Sequence, residues 1–214
     1  MGLILPRLYV ILDAEMLATG AEECAIRLAD AGVRLIQYRN KKASSRVLWE
    51  ISKRLAELLR PRGVSFVVND RTDVALLAGA TGVHVGQDDL EVEQARAVVG
   101  REKFVGISTH NLEQFEKAAA SSADYIAVGP IFETGSKANP GPVVGTELIR
   151  NVRPLTKKPI VAIGGIDLDR APEVMEAGAD SVAVISDILR APDPASRAQQ
   201  FIERLGVVNQ AAAV

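Results

Sequence analysis

Eight short apolar segments alternate with helix-length segments along this 214-residue chain, and this alternation restricts its fold more than any other feature. Each apolar segment has the length of a strand and is rich in β-branched residues. They are residues 9–12, 34–38, 65–68, 82–85, 104–108, 125–128, 159–163 and 181–185. Strands that alternate with helices pair in parallel through right-handed crossovers. We therefore predict an α/β protein whose residues 1–214 form a single domain, a parallel eight-stranded (β/α)8 TIM barrel.

The segments between the strands carry helix signals. The clearest is 44–60, where Val47, Ile51 and four leucines recur at helical spacing and Pro61 follows as a stop. Three helix ends share an Ala-Gly pair before the next strand, at Gly32, Gly79 and Gly178. A doubly wound open sheet is the alternative, but it usually has fewer strands, and no Gly-x-Gly-x-x-Gly follows the first one here.

The composition excludes several classes of function. Lys and Arg number 25 against 27 Asp and Glu, a net charge of -2, so we expect no nucleic acid or membrane as partner. The longest apolar runs, such as 182–185, are far shorter than a membrane helix. With Cys24 as the single cysteine, no internal disulfide is possible and we expect a cytoplasmic location. Residues 207–214 are predicted to be a disordered tail, and the sequence leaves open whether the chain forms a homo-oligomer.

Polar residues cluster after the predicted strands, at the end of the barrel where such proteins carry their chemistry. Asp70 and Asp89 follow adjacent strands and suit one Mg²⁺ ion, although each could instead be a helix cap or a turn residue. Arg39, Lys41 and Lys137 bring cations toward the same rim, a combination that favours a diphosphate over a single phosphate. Solvated surface residues are the alternative for each of these cations.

A second anion site is predicted near Ile-Gly-Gly-Ile at 163–166, because barrels often bind phosphate at the loops after strands seven and eight. A tight turn without a ligand is the other interpretation. We expect His84 to have a structural role and leave His110 open. The long segment 132–145 is rich in Gly and Pro, and we hypothesise that it is a lid over the substrates.

Several motifs in order resemble the thiamine phosphate synthase family over essentially the whole chain. They are Gln37-Tyr-Arg39-Asn-Lys41, Asn69-Asp70-Arg71, Gly82-Val-His84-Val-Gly86-Gln87-Asp88-Asp89, Gly106-Ile-Ser108, Gly129-Pro130, Thr134-Gly-Ser136-Lys137 and Ile163-Gly164-Gly165-Ile166. The resemblance implies a TIM barrel enzyme, a transferase. It would join hydroxymethylpyrimidine diphosphate to a thiazole phosphate with Mg²⁺, releasing diphosphate and forming thiamine phosphate.

The resemblance also implies a role for each matching residue. Asp70 and Asp89 would bind the metal, and Gln37 and Ser108 would hold the aminopyrimidine. The diphosphate would lie against Arg39, Lys41, Asn69 and Lys137, and the thiazole phosphate against Thr134, Ser136, Gly165, Ile185 and Ser186. Lys137, Ser108 and Arg39 would act in catalysis. The implied mechanism is dissociative: diphosphate departs first, and the thiazole nitrogen captures the resulting pyrimidine-methyl cation.

Two other functions of the same fold compete with this one. A related branch acts as a thiazole tautomerase, which transfers a proton and needs no diphosphate site. A barrel that only binds a thiamine precursor is the second alternative. Asp89 and Gln87 argue against the first, and the joint presence of Lys41, Asp70, Asp89 and Lys137 argues against the second. Asn40 and Glu133 depart from the residues common in the synthase family at these positions.

Overall fold

Eight parallel strands close into a barrel in the computed structural model, which describes residues 5–135 and 141–206. The strands are β1 (Leu8–Asp13), β2 (Leu35–Arg39), β3 (Ser65–Asn69), β4 (Gly82–Val85), β5 (Phe104–Thr109), β6 (Tyr125–Val128), β7 (Ile160–Ile163) and β8 (Ser181–Val184). Each pairs with its neighbours in chain order, and β1 pairs with β8 to close the ring. The predicted barrel is confirmed, with each strand boundary within one residue of its expected place.

Helices on the outside of the barrel follow the strands. Among the described residues they are α1 (Ala21–Asp30), α2 (Ser45–Leu59), α3 (Thr72–Leu77), α4 (Val92–Val99), α5 (Leu112–Ala120), α6 (Gly145–Val152), α7 (Ala171–Glu176), α8 (Ser186–Leu189) and α9 (Pro194–Leu205). Short 3-10 turns extend α2 and α6 at Arg60–Arg62 and Arg153–Leu155. No helix within residues 5–135 and 141–206 is long and apolar enough to cross a membrane.

Helix α2 shows why the sequence signals were reliable. The Ser44 hydroxyl accepts a hydrogen bond from the Val47 N–H at 3.3 Å and so caps the first turn. The helix packs its apolar face on the barrel through Leu48 and Leu55. Pro61 cannot continue the α-helical hydrogen bonds, and the chain tightens into a 3-10 turn there. The predicted helix 44–60 therefore matches the observed helix and its two caps.

Carboxylates fasten the N-terminal ends of the strands. Asp124, just before β6, accepts a hydrogen bond from the Val105 N–H at 2.7 Å and is ion-paired with Arg96. Asp180, just before β8, repeats the arrangement with the Ile160 N–H at 2.7 Å and with Arg153. In barrels of this class the N-terminal rim serves stability and the opposite rim carries the chemistry.

We predict that Asp124→Ala lowers the free energy of unfolding by about 1–3 kcal/mol. The substitution leaves the Val105 N–H and the Arg96 guanidinium without their shared acceptor. Denaturant unfolding measures the change. The control is Glu50→Ala, which removes the partner of the exposed Arg46 and should cost less than about 0.5 kcal/mol. Equal losses in the two variants would contradict the assigned role.

Candidate active site

A cavity of about 560 Å³ opens at the C-terminal ends of the strands. Seven of the eight residues expected at the pyrimidine, the diphosphate and the metal line it, and they come from β2, β3, β5 and the loops after β2, β3 and β4. They are Gln37, Arg39, Lys41, Asn69, Asp70, Asp89 and Ser108. The structure therefore brings these seven residues together at one cavity.

A smaller pocket adjoins this cavity and is lined by residues expected at the thiazole phosphate. Thr134, Gly165, Ile185 and Ser186 all border it. The two spaces share part of their walls, at His110, Ile163, Ala183 and Ile185. Two molecules bound in the two spaces would therefore lie next to each other.

The two aspartates of the proposed metal site face each other across the loops after β3 and β4. Asp70 has a left-handed backbone with φ of 62°, and its N–H donates to the His84 carbonyl at 2.7 Å. Asp89 accepts a hydrogen bond from the Gly86 N–H at 2.8 Å. A backbone hydrogen bond thus fixes the main chain of Asp70, and a backbone N–H holds the carboxylate of Asp89.

The environment of Asp70 favours a cation beside it. Burial raises the pKa of the Asp70 carboxyl, the ion pair with Lys41 lowers it, and the neighbouring Asp89 raises it again. Among the described residues, no group of three or more His, Cys, Asp and Glu side chains is placed to hold a metal ion. Any divalent ion here would therefore take two carboxylates from the protein and its remaining ligands from elsewhere.

Asp13 is a site residue that sequence reasoning missed. It ends β1, is only 2% exposed and forms an ion pair with Arg39, which lies beside it in the strand register. The Asp13 carboxylate also accepts a hydrogen bond from the Glu15 N–H at 3.0 Å. A carboxylate directly after an apolar strand was the available signal. Asp13 holds the Arg39 guanidinium at the edge of the cavity.

Asn40, the departure noted in the sequence, organises the turn that carries Lys41. Its side-chain oxygen accepts hydrogen bonds from the Lys42 N–H at 3.1 Å and the Ala43 N–H at 3.0 Å. Its amide nitrogen donates to the Tyr38 hydroxyl at 3.1 Å. The Asn40 amide thus has a structural role. Its difference from the residue common in the family leaves Arg39 and Lys41 in place.

A chain of hydrogen bonds crosses the barrel interior beneath the cavity. The Gln37 side-chain nitrogen lies 2.6 Å from the Tyr9 hydroxyl, which lies 3.1 Å from the Tyr125 hydroxyl. Tyr125 in turn lies 3.0 Å from Nδ1 of His84, whose Nε2 lies 2.8 Å from the Ser108 hydroxyl. The expected structural role of His84 is thus a hydrogen-bonding role, and the two tyrosines are residues that the sequence did not reveal.

His110 stands between the two pockets and borders both. Its Nδ1 lies 2.5 Å from the Gly129 carbonyl oxygen. Because a carbonyl oxygen only accepts, Nδ1 carries the proton and Nε2 of a neutral ring is an acceptor. The ring is therefore held in one orientation at the boundary between the pockets.

Gly165 is required first by the packing of two loops. It has φ of 65°, and a Cβ atom there would lie 2.4 Å from the Glu133 carbonyl oxygen and 2.8 Å from Cβ of Phe132. The same loops are joined by a hydrogen bond from the Phe132 N–H to the Gly164 carbonyl at 3.0 Å. The space beside Gly165, where a phosphate was expected to approach the backbone, is thus occupied by the segment after β6. This segment forms one wall of the smaller pocket.

Two predicted residues, Ser136 and Lys137, lie outside the described residues, as does the predicted disordered tail at 207–214. The lid hypothesis for 132–145 depends partly on this segment and stays a prediction.

Comparisons with known proteins agree with this site. The sequence matches the thiamine monophosphate synthase family over residues 8–188. The chain belongs to this family. A thiamine-phosphate synthase of Koribacter versatilis is 52% identical over 95% of this chain and 98% of its own. One of Methanospirillum hungatei is 41% identical over 92% and 96%.

A solved structure extends the likeness to three dimensions. Thiamine phosphate pyrophosphorylase from Pyrococcus furiosus has 35% identity and a TM-score of 0.84, and the match covers 94% of this chain and 97% of that one. The family membership and the barrel inferred from the motifs are confirmed. These relatives thus resemble the chain in sequence, and the solved one resembles it in architecture as well.

We predict that Gly165→Ala lowers the free energy of unfolding by about 1–3 kcal/mol, because the new Cβ meets backbone atoms at a left-handed position. Gly135→Ala is the matched control, since a Cβ there meets no atom within 4 Å. Thermal or denaturant unfolding measures both variants. If Gly165→Ala is as stable as the control, loop packing does not account for this glycine.

Proposed function

We infer that the chain is a thiamine-phosphate synthase, a transferase that joins hydroxymethylpyrimidine diphosphate to a thiazole phosphate and releases diphosphate. The observation that carries this inference is the pair of adjoining pockets. One combines two carboxylates with the cations Arg39 and Lys41, and the other is bordered by Gly165 and Ser186. Relatives named thiamine-phosphate synthase at up to 52% identity support it over the tautomerase and the binding-only barrel. We place the enzyme in the cytoplasm.

The diphosphate binds among the cations at the rim of the larger cavity. Arg39 is held by Asp13, and Lys41 extends from the turn organised by Asn40. In the structure, the Lys41 ammonium group forms an ion pair with Asp70. Lys41 would contact a diphosphate oxygen if a metal ion were held by Asp70 and Asp89, and Asn69 lies on the same rim. Lys137 is proposed as a further contact on the strength of the motif alone.

Asp70 and Asp89 are the proposed ligands of Mg²⁺. The residues fit such an ion, because the two carboxylates face one another, and burial together with the neighbouring Asp89 raises the pKa of Asp70, which a cation would oppose. Mg²⁺ usually takes one or two carboxylates and completes its octahedron with water and phosphate oxygens. The ion would supply positive charge that stabilises the departing diphosphate.

The pyrimidine lies over the floor of the cavity, where Gln37 and Ser108 offer hydrogen bonds to its edge. The reaction proceeds by departure of diphosphate and formation of a pyrimidine-methyl cation. Arg39 and Lys41 are aimed at the leaving group, where negative charge grows in the transition state. A nucleophilic side chain is unnecessary in such a mechanism, because the second substrate supplies the nucleophile.

The thiazole phosphate binds in the smaller pocket with its ring toward the larger cavity. Ser186 and Thr134 supply hydroxyl groups to the phosphate, and the chain around Gly165 and Ile185 supplies backbone groups. His110, at the shared wall, borders the path between the thiazole nitrogen and the pyrimidine. This placement lets the nitrogen capture the cation before water does.

We predict that Asp89→Asn weakens binding of Mg²⁺ or Mn²⁺ by roughly tenfold or more, because it removes one of two anionic ligands while keeping the side-chain shape. Titration calorimetry measures the affinity. Asp88→Asn removes the same charge from the adjacent, exposed residue and should change it less. Chelation should abolish thiamine phosphate formation and added Mg²⁺ should restore it. Full activity in excess chelator would contradict the metal site.

We predict that Ser186→Ala raises KM for the thiazole phosphate by roughly tenfold, the loss expected for one hydrogen bond to a charged group. KM for the pyrimidine diphosphate should stay within about twofold, because Ser186 does not border the larger cavity. Steady-state kinetics with each substrate varied in turn separate the two effects. Equal changes in both constants would argue against a phosphate role for Ser186.

A further inference from the structure

The hydrogen-bonded chain Gln37, Tyr9, Tyr125, His84 and Ser108, here called the interior relay, joins the two residues proposed to hold the pyrimidine. The two ends border the cavity, as do Tyr9 and His84, and the two tyrosines are at most 1% exposed. The three central residues come from β1, β6 and β4, so the relay crosses the barrel interior. The inference below rests on the proposed function, since it concerns what the two ends present to the substrate.

The proton positions in the interior relay follow from its geometry. The Gln37 side-chain nitrogen donates to the Tyr9 hydroxyl, because an amide nitrogen only donates. The Tyr9 hydroxyl is buried and its oxygen already accepts from Gln37, so donation to Tyr125 is what satisfies its own proton, and Tyr125 in turn donates to Nδ1 of His84. Nδ1 is then an acceptor, and a neutral ring carries its proton on Nε2, which donates to the Ser108 hydroxyl oxygen.

This order determines what each end offers in the cavity. Gln37 has committed its amide nitrogen to Tyr9 and presents its carbonyl oxygen as an acceptor. Ser108 has accepted a bond from His84 and presents its own O–H as a donor. An aminopyrimidine edge is complementary to this pair, because its exocyclic amine donates and the adjacent ring nitrogen accepts.

Packing keeps the relay in place. The rings of His84 and Tyr125 stack with centroids 5.6 Å apart and 26° between their planes. A Cβ atom at Gly106 would lie 2.1 Å from the Tyr125 ring, so this glycine makes the space that the ring occupies. Burial raises the pKa of both phenols well above the ordinary value, which keeps the protons that the relay needs.

We propose that Tyr9, Tyr125 and His84 are positioning residues that fix Gln37 as acceptor and Ser108 as donor, so that the site selects a 4-aminopyrimidine over a 4-oxopyrimidine. The 4-oxo edge has the opposite pattern, an accepting oxygen beside a donating ring N–H. To bind it equally well, the Gln37 amide would have to flip and both phenols and the imidazole would have to reverse their protons together. The relay makes this a single concerted change, which raises its cost above that of one amide flip.

The test compares the 4-amino substrate with its 4-oxo analogue in Tyr125→Phe. Breaking the relay at its centre uncouples Gln37 from Ser108, so the ratio of kcat/KM for the two pyrimidine diphosphates should fall by about tenfold or more. KM for the thiazole phosphate should not change. Tyr9→Phe interrupts the same chain at a second point and should give the same loss. It replaces Tyr125→Phe as the test if that variant does not fold.

Tyr38→Phe is the matched control. It removes a buried phenol hydroxyl from β2, beside Gln37 in sequence, but this hydroxyl bonds Asn40 and lies outside the relay. Its discrimination ratio should equal that of the wild type. An unchanged ratio in folded Tyr125→Phe and Tyr9→Phe, or an equal fall in Tyr38→Phe, would overturn the proposal.

The relay has a second readout that is independent of turnover. Nitrogen-15 NMR of the labelled wild-type protein should show His84 protonated on Nε2, and protonation on Nδ1 would overturn the proposed order. The proposed pyrimidine contacts are tested separately with Gln37→Ala and Ser108→Ala. If these leave KM for the pyrimidine diphosphate unchanged while the tautomer is as expected, the assigned pyrimidine site fails and the proton order of the relay stands.

Discussion

Closure of the parallel sheet, through the pairing of β1 with β8, is the constraint on which the rest of the structure depends. In a closed parallel barrel every strand ends at the same rim, so residues far apart in sequence meet there without further design. Gln37, Asp70 and Ser108 follow different helices along the chain and border one cavity. Closure also encloses an interior. Hydrogen bonds between polar side chains there link Gln37 and Ser108 at the cavity to residues in the core.

Charges at the rim are held in pairs before any substrate arrives. Arg39 is fixed by Asp13, and Lys41 is paired with Asp70, a carboxylate that we assign to the metal. The two pairs have different consequences. The Asp13 pair is nearly buried and orients a guanidinium permanently, whereas Lys41 is half exposed and can exchange its partner. The site thus combines one buried, fixed cation with one exposed cation.

The sequence predicted the fold closely because strand runs and helix exits are local signals. It also predicted the rim residues, since in this architecture polar residues that follow a strand share one rim. The interior relay was not predictable in the same way. Tyr9 and Tyr125 lie within strands that are apolar on both faces, so no alternation indicates which side chains point inward. Asp13 carried the same local signal as the other rim residues, but its ion pair with Arg39 was missed because the two are neighbours only in the strand register.

Polar groups in the barrel interior lower the stability of the fold, and the hydrogen bonds of the relay offset this loss. Buried hydroxyl, amide and imidazole groups destabilise a fold unless each finds a partner, and large aliphatic side chains normally fill these layers. Among the described residues, the one buried side-chain nitrogen or oxygen atom without a hydrogen bond is the Ser52 hydroxyl oxygen on α2, outside the barrel. The relay groups are therefore satisfied, but only in proton orders that agree along the whole chain. This requirement turns a set of buried polar residues into one oriented unit, and an aliphatic interior has no comparable means of presenting an acceptor and a donor together.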